Sequence, residues 1–273
     1  MVYEEVIFEI SPLQPWRDVL IAYLSELPYE SFLETKNGLK AYIHNKSFDK
    51  AALQEVLKDL NTQVNFHHKT LQQKNWNAAW ESDFKPIRVG DHCGVRADFH
   101  QPIDVEYEII ITPKMSFGTG HHATTFGMME QMLQLDFQGK RVLDMGCGTA
   151  VLAILAEKLG STHIQAIDID EWAYKNALEN IQMNNCKNIQ INIGGAEKIQ
   201  TKFDIILANI NRNILLKDMP NYVSALKPNG SLFLSGFFLE DFEIIKQSAS
   251  SFGIINIQHH THDNWVTAQF LKQ

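Results

Sequence analysis

Residues 140–170 read KRVLDMGCGTAVLAILAEKLGSTHIQAIDID, and this stretch decides the fold. It begins with a short apolar strand from Arg141 to Leu143 and then turns sharply through residues 144–148. An apolar helix from about Val151 to Lys158 follows, and a second strand leads to Asp168. A strand, a glycine turn, a helix and a strand that ends in an acid predict the start of a doubly wound α/β fold.

The glycine turn predicts a site for a nucleoside-bearing cofactor. Gly146 and Gly148 permit a tight turn and a close approach of the backbone to a ligand at the helix N-terminus. A dinucleotide site would have a further glycine where this chain has Val151. Asp144 would repel a diphosphate, but it favours the sulfonium and ammonium groups of S-adenosylmethionine. Asp168 is placed to accept both ribose hydroxyls, although a βαβ unit without any ligand stays open as the alternative.

Composition excludes several classes of protein. The chain has 273 residues, 45% of them hydrophobic, which suits a globular protein with one large domain or a large and a small one. It has no apolar run of about 20 residues for a membrane span and no signal peptide at its acidic N-terminus. Three scattered cysteines indicate a reducing cytosol and argue against a zinc site, so we expect a cytoplasmic protein without a metal.

Net charge limits the partners. The formal net charge is −8, so a basic surface for nucleic acid does not extend over the whole fold, although a local patch stays open. We therefore expect no membrane and no direct nucleic-acid binding, and a chain that acts as a monomer.

The order of periodic segments divides the chain into three parts. Residues 1–70 alternate strand and helix patterns in the order βαββαβ, which predicts a small ferredoxin-like α+β domain for substrate recognition. Residues 71–85 place Trp76, Trp80 and Phe84 on one face of a predicted linker helix. Residues 86–273 hold the predicted cofactor-binding domain, which ends in an antiparallel hairpin at the sheet edge.

Two further segments are expected at the carboxyl edge of the sheet, where ligands bind in doubly wound folds. The run PKMSFGTGHHATT, residues 113–125, precedes an amphipathic helix, and Thr124 or Thr125 is the predicted helix cap. The functional interpretation is a loop folded over the cofactor, and the alternative is a long loop with a cap. Asn209 follows the fourth strand and faces the same crevice, or it merely forms a turn.

Together these motifs resemble one family. DMGCGTA followed by AIDID is similar to class I S-adenosylmethionine-dependent methyltransferases. SFGTGHHATT upstream and LANINRNIL downstream resemble the methyltransferases of bacterial ribosomal protein L11 (PrmA-type). The resemblance covers about residues 110–271 and implies a seven-stranded Rossmann-like sheet. It also implies that the cofactor is held by Thr125, Gly146, Asp168 and Asn209, with Asp144, Phe117, Gly118, Thr119 and Gly148 around them.

The sequence departs from the family pattern at three positions. Ala123 stands where the family loop usually has a proline, and Ala150 where the turn usually has its third glycine. Gly195 stands where an acid usually follows the third strand, which leaves adenine recognition to the backbone near Ala196 or to Glu197.

The implied reaction is the in-line transfer of a methyl group to a neutral protein amine, repeated on the same amine. Asn209 is the candidate to align that amine, and His121 or His122 is a candidate base. Two rivals stay open at this point: a methyltransferase for RNA or a small molecule, and an NAD-dependent oxidoreductase or non-catalytic nucleotide binder.

Overall fold

The chain folds into two compact units, Met1–Asp83 and Phe84–Gln273, in a computed structural model that describes residues 3–58, 60, 62–71, 84–114 and 116–273. Trp76 and Trp80 of the predicted linker helix lie outside the described residues. Phe84, the third aromatic residue of that segment, is buried in the core of the second unit.

The first unit has the predicted ferredoxin-like order. Its four strands form an antiparallel sheet in the order β2-β3-β1-β4. The hairpin between β2 and β3 needs glycine, because a Cβ atom on Gly38 would lie 2.0 Å from the carbonyl oxygen of Phe8. The bounds are β1 Tyr3–Ser11, α1 Trp16–Ser25, β2 Tyr29–Thr35, β3 Gly38–His44, α2 Lys50–Lys58 and β4 Gln63–Leu71.

The second unit begins with a small sheet of β5 (Ile87–Val89), β6 (Cys93–Ala97) and β7 (Tyr107–Ile111). The sequence pattern predicts the middle strand at residues 94–99, whereas β6 begins one residue earlier and ends two residues earlier. This strand is buried along its whole length.

The main sheet has seven strands in the order β10-β9-β8-β11-β12-β14-β13, and it confirms the predicted doubly wound fold. The first five strands in this order are parallel, and β14 is antiparallel to both of its neighbours. The strands are β8 Arg141–Met145, β9 His163–Asp168, β10 Ile189–Ile193, β11 Phe203–Asn209, β12 Leu226–Phe238, β13 Ile254–His262 and β14 Trp265–Lys272.

Alternate residues of the strands enter two different cores, as expected for a sheet that is covered on both faces. Val142 packs in the cluster that contains α3 and α4, whereas Leu143 packs in the cluster of α6 and α7. The helices are α3 Ala123–Met132, α4 Val151–Lys158, α5 Glu171–Met183, α6 Arg212–Ala225 and α7 Phe242–Ser251. None of the helices in the described part of the chain is both long and apolar enough to cross a membrane.

Two segments depart from their sequence patterns. The sequence predicts a turn at residues 227–230 before the fifth strand; these residues fall inside the bounds of β12, where Leu226 pairs with Phe203 and Ser231 with Ile205, and Asn229 has a φ of +59°. The apolar pattern predicts Trp172 and Leu178 on the inward face of α5, but they are 73% and 37% exposed.

The inward face of α5 explains the second departure. Its buried residues are Ala173, Asn176, Ala177, Asn180 and Ile181, which follow helical spacing. Asn176 and Asn180 are buried because their amide groups donate to the backbone oxygens of Thr112 and Thr149. The spacing of apolar residues alone therefore predicts the wrong buried face for α5.

Candidate functional site

The turn after β8 is held in a conformation that favours glycine. Gly146 and Gly148 have φ angles of +68° and +54°, in the left-handed region. A Cβ atom on Gly146 would lie 2.2 Å from Cγ2 of Ile210, and one on Gly148 would lie 2.2 Å from the oxygen of Phe117. Ala150 adopts φ +62° just before α4, although it carries a side chain. The turn is therefore closely packed from two sides.

Asp168 ends β9 beside this turn. Its Oδ2 accepts a hydrogen bond of 2.8 Å from the Gly148 amide, and its Oδ1 accepts one of 3.0 Å from the Asp170 amide. The Gly194 amide donates to the Asp168 carbonyl oxygen at 2.9 Å, which brings the end of β10 to the same place. Each carboxylate oxygen retains a second lone pair for a ligand hydroxyl.

Asp144 is enclosed, with 1% of its surface exposed. Its Oδ2 accepts a hydrogen bond of 3.0 Å from the Ala153 amide, in the first turn of α4. Burial raises the pKa of Asp144 to about 7, the amide of Ala153 opposes that shift, and the charge of Asp168 adds to it. Two carboxylates thus concentrate negative charge behind the glycine turn.

The loop before α3 is bonded to the glycine turn. The Thr149 amide donates to the Phe117 oxygen at 2.9 Å, and the Thr149 hydroxyl donates to the Gly118 oxygen at 2.5 Å. Gly118 has φ +102°, and Phe117 is 51% exposed above it. Thr119 contacts His121, with 3.2 Å between its Oγ1 and the ring Nδ1. The loop therefore reaches the carboxyl edge of β8.

Asn209 and Thr125 meet although 84 positions separate them in sequence. The Asn209 Nδ2 donates to the Thr125 Oγ1 at 3.2 Å, which fixes the orientation of the amide. Among the described residues, the buried Asn209 Oδ1 has no hydrogen-bond partner. A buried carbonyl oxygen without a donor is costly, so this atom is available to accept from a ligand N–H.

The two loop histidines are engaged in structural bonds. The His121 Nε2 lies 2.8 Å from the Lys85 carbonyl oxygen, so Nε2 carries the proton and Nδ1 accepts from Thr119. His122 caps α3, because its Nδ1 accepts from the Thr124 amide and lies 2.8 Å from the Thr124 hydroxyl. The prediction of Thr124 or Thr125 as the cap was therefore wrong.

The turn after β10 is the segment for which the resemblance implies adenine recognition. Gly195 occupies the position of the usual acid, and the Glu197 Oε1 accepts from the Gly195 amide at 2.8 Å. This hydrogen bond lowers the pKa of Glu197. Glu197 thus closes the turn around Gly195 with one of its oxygens.

Sequence reasoning missed three apolar side chains near this edge. Ile169, directly after Asp168, is 76% exposed. Its position between two acids at a strand end could have predicted this exposure. Phe238 and Trp265 stack with ring centroids 4.0 Å apart, and His122 contacts the Trp265 ring at 4.8 Å. Only the register of β12 with β14 pairs those two residues, so no local pattern indicates them.

Across the ranges that the structure describes, no three His, Cys, Asp or Glu side chains are grouped so that they could hold a metal ion.

Comparison with known proteins gives a consistent result. The family model described as ribosomal protein L11 methyltransferase (PrmA) matches residues 17–273. A ribosomal protein L11 methyltransferase of Phocaeicola vulgatus is 41% identical over 281 residues, and the match covers 100% of both chains. The protein of the same name from Porphyromonas gingivalis is 44% identical over 93% of this chain and 90% of its own length.

A solved structure also matches. The crystal structure of a ribosomal protein L11 methylase from Lactobacillus delbrueckii subsp. bulgaricus superimposes with a TM-score of 0.65 at 26% identity. The superposition covers 70% of this chain and 100% of that one.

Proposed function

The chain belongs to the ribosomal protein L11 methyltransferase (PrmA) family, and from this premise we propose that it transfers methyl groups from S-adenosylmethionine to amino groups of ribosomal protein L11. The acceptors are lysine side chains, the N-terminal amine or both. The observation that carries the proposal is the pair of carboxylates, Asp144 and Asp168, behind a glycine turn. That charge suits a cationic methyl donor and opposes a pyrophosphate, which disfavours the oxidoreductase alternative.

The residues present fit S-adenosylmethionine. Asp168 has lone pairs for ribose hydroxyls. The turn must be glycine at 146 and 148, because Cβ atoms there would meet Ile210 and the Phe117 oxygen, so no side chain stands on it. The Asn209 Oδ1 is a buried acceptor that lacks a donor. Thr125 holds this amide in place. We propose that Phe117, Gly118 and Thr119 close the site, and that Asp144 acts through its charge because it is enclosed.

When bound, the cofactor supplies an electrophilic methyl group on a sulfonium sulfur. The chain orients the acceptor, because the Asn209 Oδ1 can accept one N–H and so direct the amine lone pair. Orientation of this kind can supply about 7 kcal/mol or more of the barrier. The attacking amine must be neutral, which an N-terminal amine with a pKa near 7.7–8.0 satisfies more easily than a lysine near 10.4.

Neither loop histidine serves as the base in this proposal. His121 already uses both ring nitrogens, and the Nδ1 of His122 is occupied by Thr124. The amine is therefore deprotonated by solvent before it enters the site, and the chain selects the neutral form.

We further propose that residues 1–70 recognise the substrate, that residues 71–85 form a linker, and that residues 86–273 carry the methyl transfer. We infer that the protein acts as a monomer in the cytoplasm, where its ribosomal substrate is made.

Incubation with methyl-labelled cofactor and separated large-subunit ribosomal proteins tests the function. We expect label in ribosomal protein L11 alone, and the Asn209→Ala variant should transfer far less even when the cofactor is saturating. Label confined to RNA, or binding of NADH in place of S-adenosylhomocysteine, would contradict the proposal.

A further inference from the structure

A cavity of about 540 Å³ opens towards the amino ends of the main sheet. It is lined by residues of β8, β9, β10 and β11 together with the two segments that precede β10 and β11, and we call it the amino-end cleft. The glycine turn and Asn209 lie at the carboxyl ends of these strands, whereas Arg141, His163 and Lys187 of the cleft lie at the amino ends. Lys198 reaches the carboxyl edge, because its side chain lies against Gly194. The volume of the cleft is in the range of small-molecule sites.

The cleft exists because one crossover is short. The segment between β10 and β11 contains only a single 3₁₀ turn, Ala196–Lys198, where doubly wound folds commonly place a helix. In the described residues, the core on this face includes Ile167 of β9 and nothing from β10. Polar side chains, Gln165 and Asn192, therefore stand on a face that parallel sheets usually bury.

The charge of the cleft is uniformly positive. Arg141, Lys187 and Lys198 line it, and no Asp or Glu is among the lining residues, although acidic residues outnumber basic ones in the chain by 32 to 24. In the described part of the chain none of these three cations forms an ion pair. Three carboxylates are nearby. Glu157 and Asp204 are engaged by backbone amides and by Lys227. Glu197, beside Lys198, accepts from the Gly195 amide, and this hydrogen bond and the Lys198 charge lower its pKa.

The cation of Arg141 is held in position. Its Nε donates to the Lys202 oxygen at 3.3 Å, and its Nη2 donates to the Thr201 Oγ1 at 2.9 Å. A guanidinium fixed on one side keeps donors for an anion on the other, at a smaller entropic cost than a free side chain.

Gln165 adds a hydrogen-bond acceptor to the cations. Its Nε2 donates to the Asn192 Oδ1 and to the Lys198 oxygen, both at 3.1 Å, so the amide cannot flip. Its Oε1 is buried and has no partner among the described residues. A ligand that fits this cleft therefore has an anionic group and, beside it, a hydroxyl or N–H donor.

We propose that the amino-end cleft binds a ribose phosphate, with the phosphate on Arg141 and Lys187 and a ribose hydroxyl on the Gln165 Oε1. The ribose phosphate can come from a free nucleotide or from an RNA backbone. Two rings line the cleft: Phe203 is 2% exposed, and the exposed imidazole of His163 can stack on any base, so stacking does not select one base. The net charge of −8 leads to the prediction of no nucleic-acid binding. A net charge sums over the whole chain and does not reveal this local group of cations.

Binding of a labelled oligouridylate to the full chain tests the proposal, measured by fluorescence anisotropy at low salt with AMP, inorganic phosphate and the deoxy oligomer as competitors. The double variant Arg141→Gln/Lys187→Gln should bind at least tenfold more weakly and lower the salt slope by about 1.4, since each phosphate contact on a single strand contributes about 0.7. Gln165→Met should abolish the preference for ribose over deoxyribose.

The matched control is Lys175→Gln/Lys246→Gln, which removes two lysines from helix surfaces elsewhere and should leave the affinity unchanged. Competition by AMP that is stronger than the oligomer identifies a free nucleotide, and oligomer binding that AMP does not displace identifies an RNA backbone. Any of three results would overturn the inference. They are an equal loss of oligomer affinity in both double variants, no binding of either AMP or the oligomer, and competition by inorganic phosphate as strong as that by AMP. Binding of S-adenosylhomocysteine should not change in any variant, which separates this result from the proposed methyl transfer.

Discussion

Replacement of Asp144 by asparagine should stabilise the folded protein and lower its affinity for S-adenosylmethionine. Burial raises the pKa of Asp144 from 3.8 to about 7, so the folded state holds a proton that the unfolded state releases between these values. Stability therefore falls as pH rises through that window, and above it the ionised carboxylate costs about 4 kcal/mol at 1.36 kcal/mol per pH unit.

The asparagine variant avoids this cost and keeps the acceptor for the Ala153 amide. Its new NH₂ group costs about 1–3 kcal/mol if it finds no partner, so a net gain of about 1–3 kcal/mol is expected at alkaline pH. Well below pH 3.8 the gain should vanish, because Asp144 is then protonated in both states. Urea midpoints across this pH range measure the difference, and Asp136→Asn, at an exposed carboxylate, is the control.

Cofactor binding gives a second, independent result. A cation in the crevice lowers the pKa of Asp144, so binding of S-adenosylmethionine near neutral pH should release a proton, which calorimetry in two buffers of different ionisation enthalpy detects. In Asp144→Asn that release should disappear, and affinity for the sulfonium form should fall about tenfold or more while S-adenosylhomocysteine is affected less. A variant that is less stable at alkaline pH, or that binds the sulfonium as tightly as the wild type, would refute the reasoning.

Three further changes probe the same site. Gly146→Ala places a Cβ atom 2.2 Å from Ile210 at φ +68°, so thermal unfolding should show a loss of more than about 1 kcal/mol together with lost cofactor binding. Thr125→Val removes the acceptor that fixes Asn209, so kcat should fall about tenfold with an unchanged circular dichroism spectrum, and Thr125→Ser should restore it; an unchanged kcat would contradict the alignment role. Ala150→Gly removes the strain of a left-handed residue, so the thermal midpoint should rise by the equivalent of about 1 kcal/mol; a lower midpoint would contradict this expectation.

Local patterns predicted the fold because its deciding features lie close together in sequence. The strand, turn and helix from Arg141 to Lys158 were predicted from glycine spacing and an apolar run, and the helix bounds are confirmed. The hairpin at Asp263 and Asn264 also follows from its turn residues, both of which have positive φ.

Contacts between distant residues were beyond such reasoning. Thr125 looks like a helix cap in sequence, yet its hydroxyl accepts from Asn209, and His122 caps the helix instead. The inward face of α5 contains Asn176 and Asn180, whose burial depends on backbone acceptors at Thr112 and Thr149. In each case a hydrogen-bond partner in another element decides the role or the burial of the polar side chain. The periodicity of apolar residues carries no information about such partners.

The strand direction also separates charge along the main sheet. Asp144 and Asp168 lie at the carboxyl ends of β8 and β9, and Arg141 lies at the amino end of β8. Arg141 and Asp144 are three residues apart in β8, which is about 10 Å at 3.3 Å per residue. The proposed cationic methyl donor and the proposed anionic ribose phosphate are therefore attracted to different ends of the same strands. Each end can attract its own ligand because the strand direction, and not the net charge of the chain, decides the local potential.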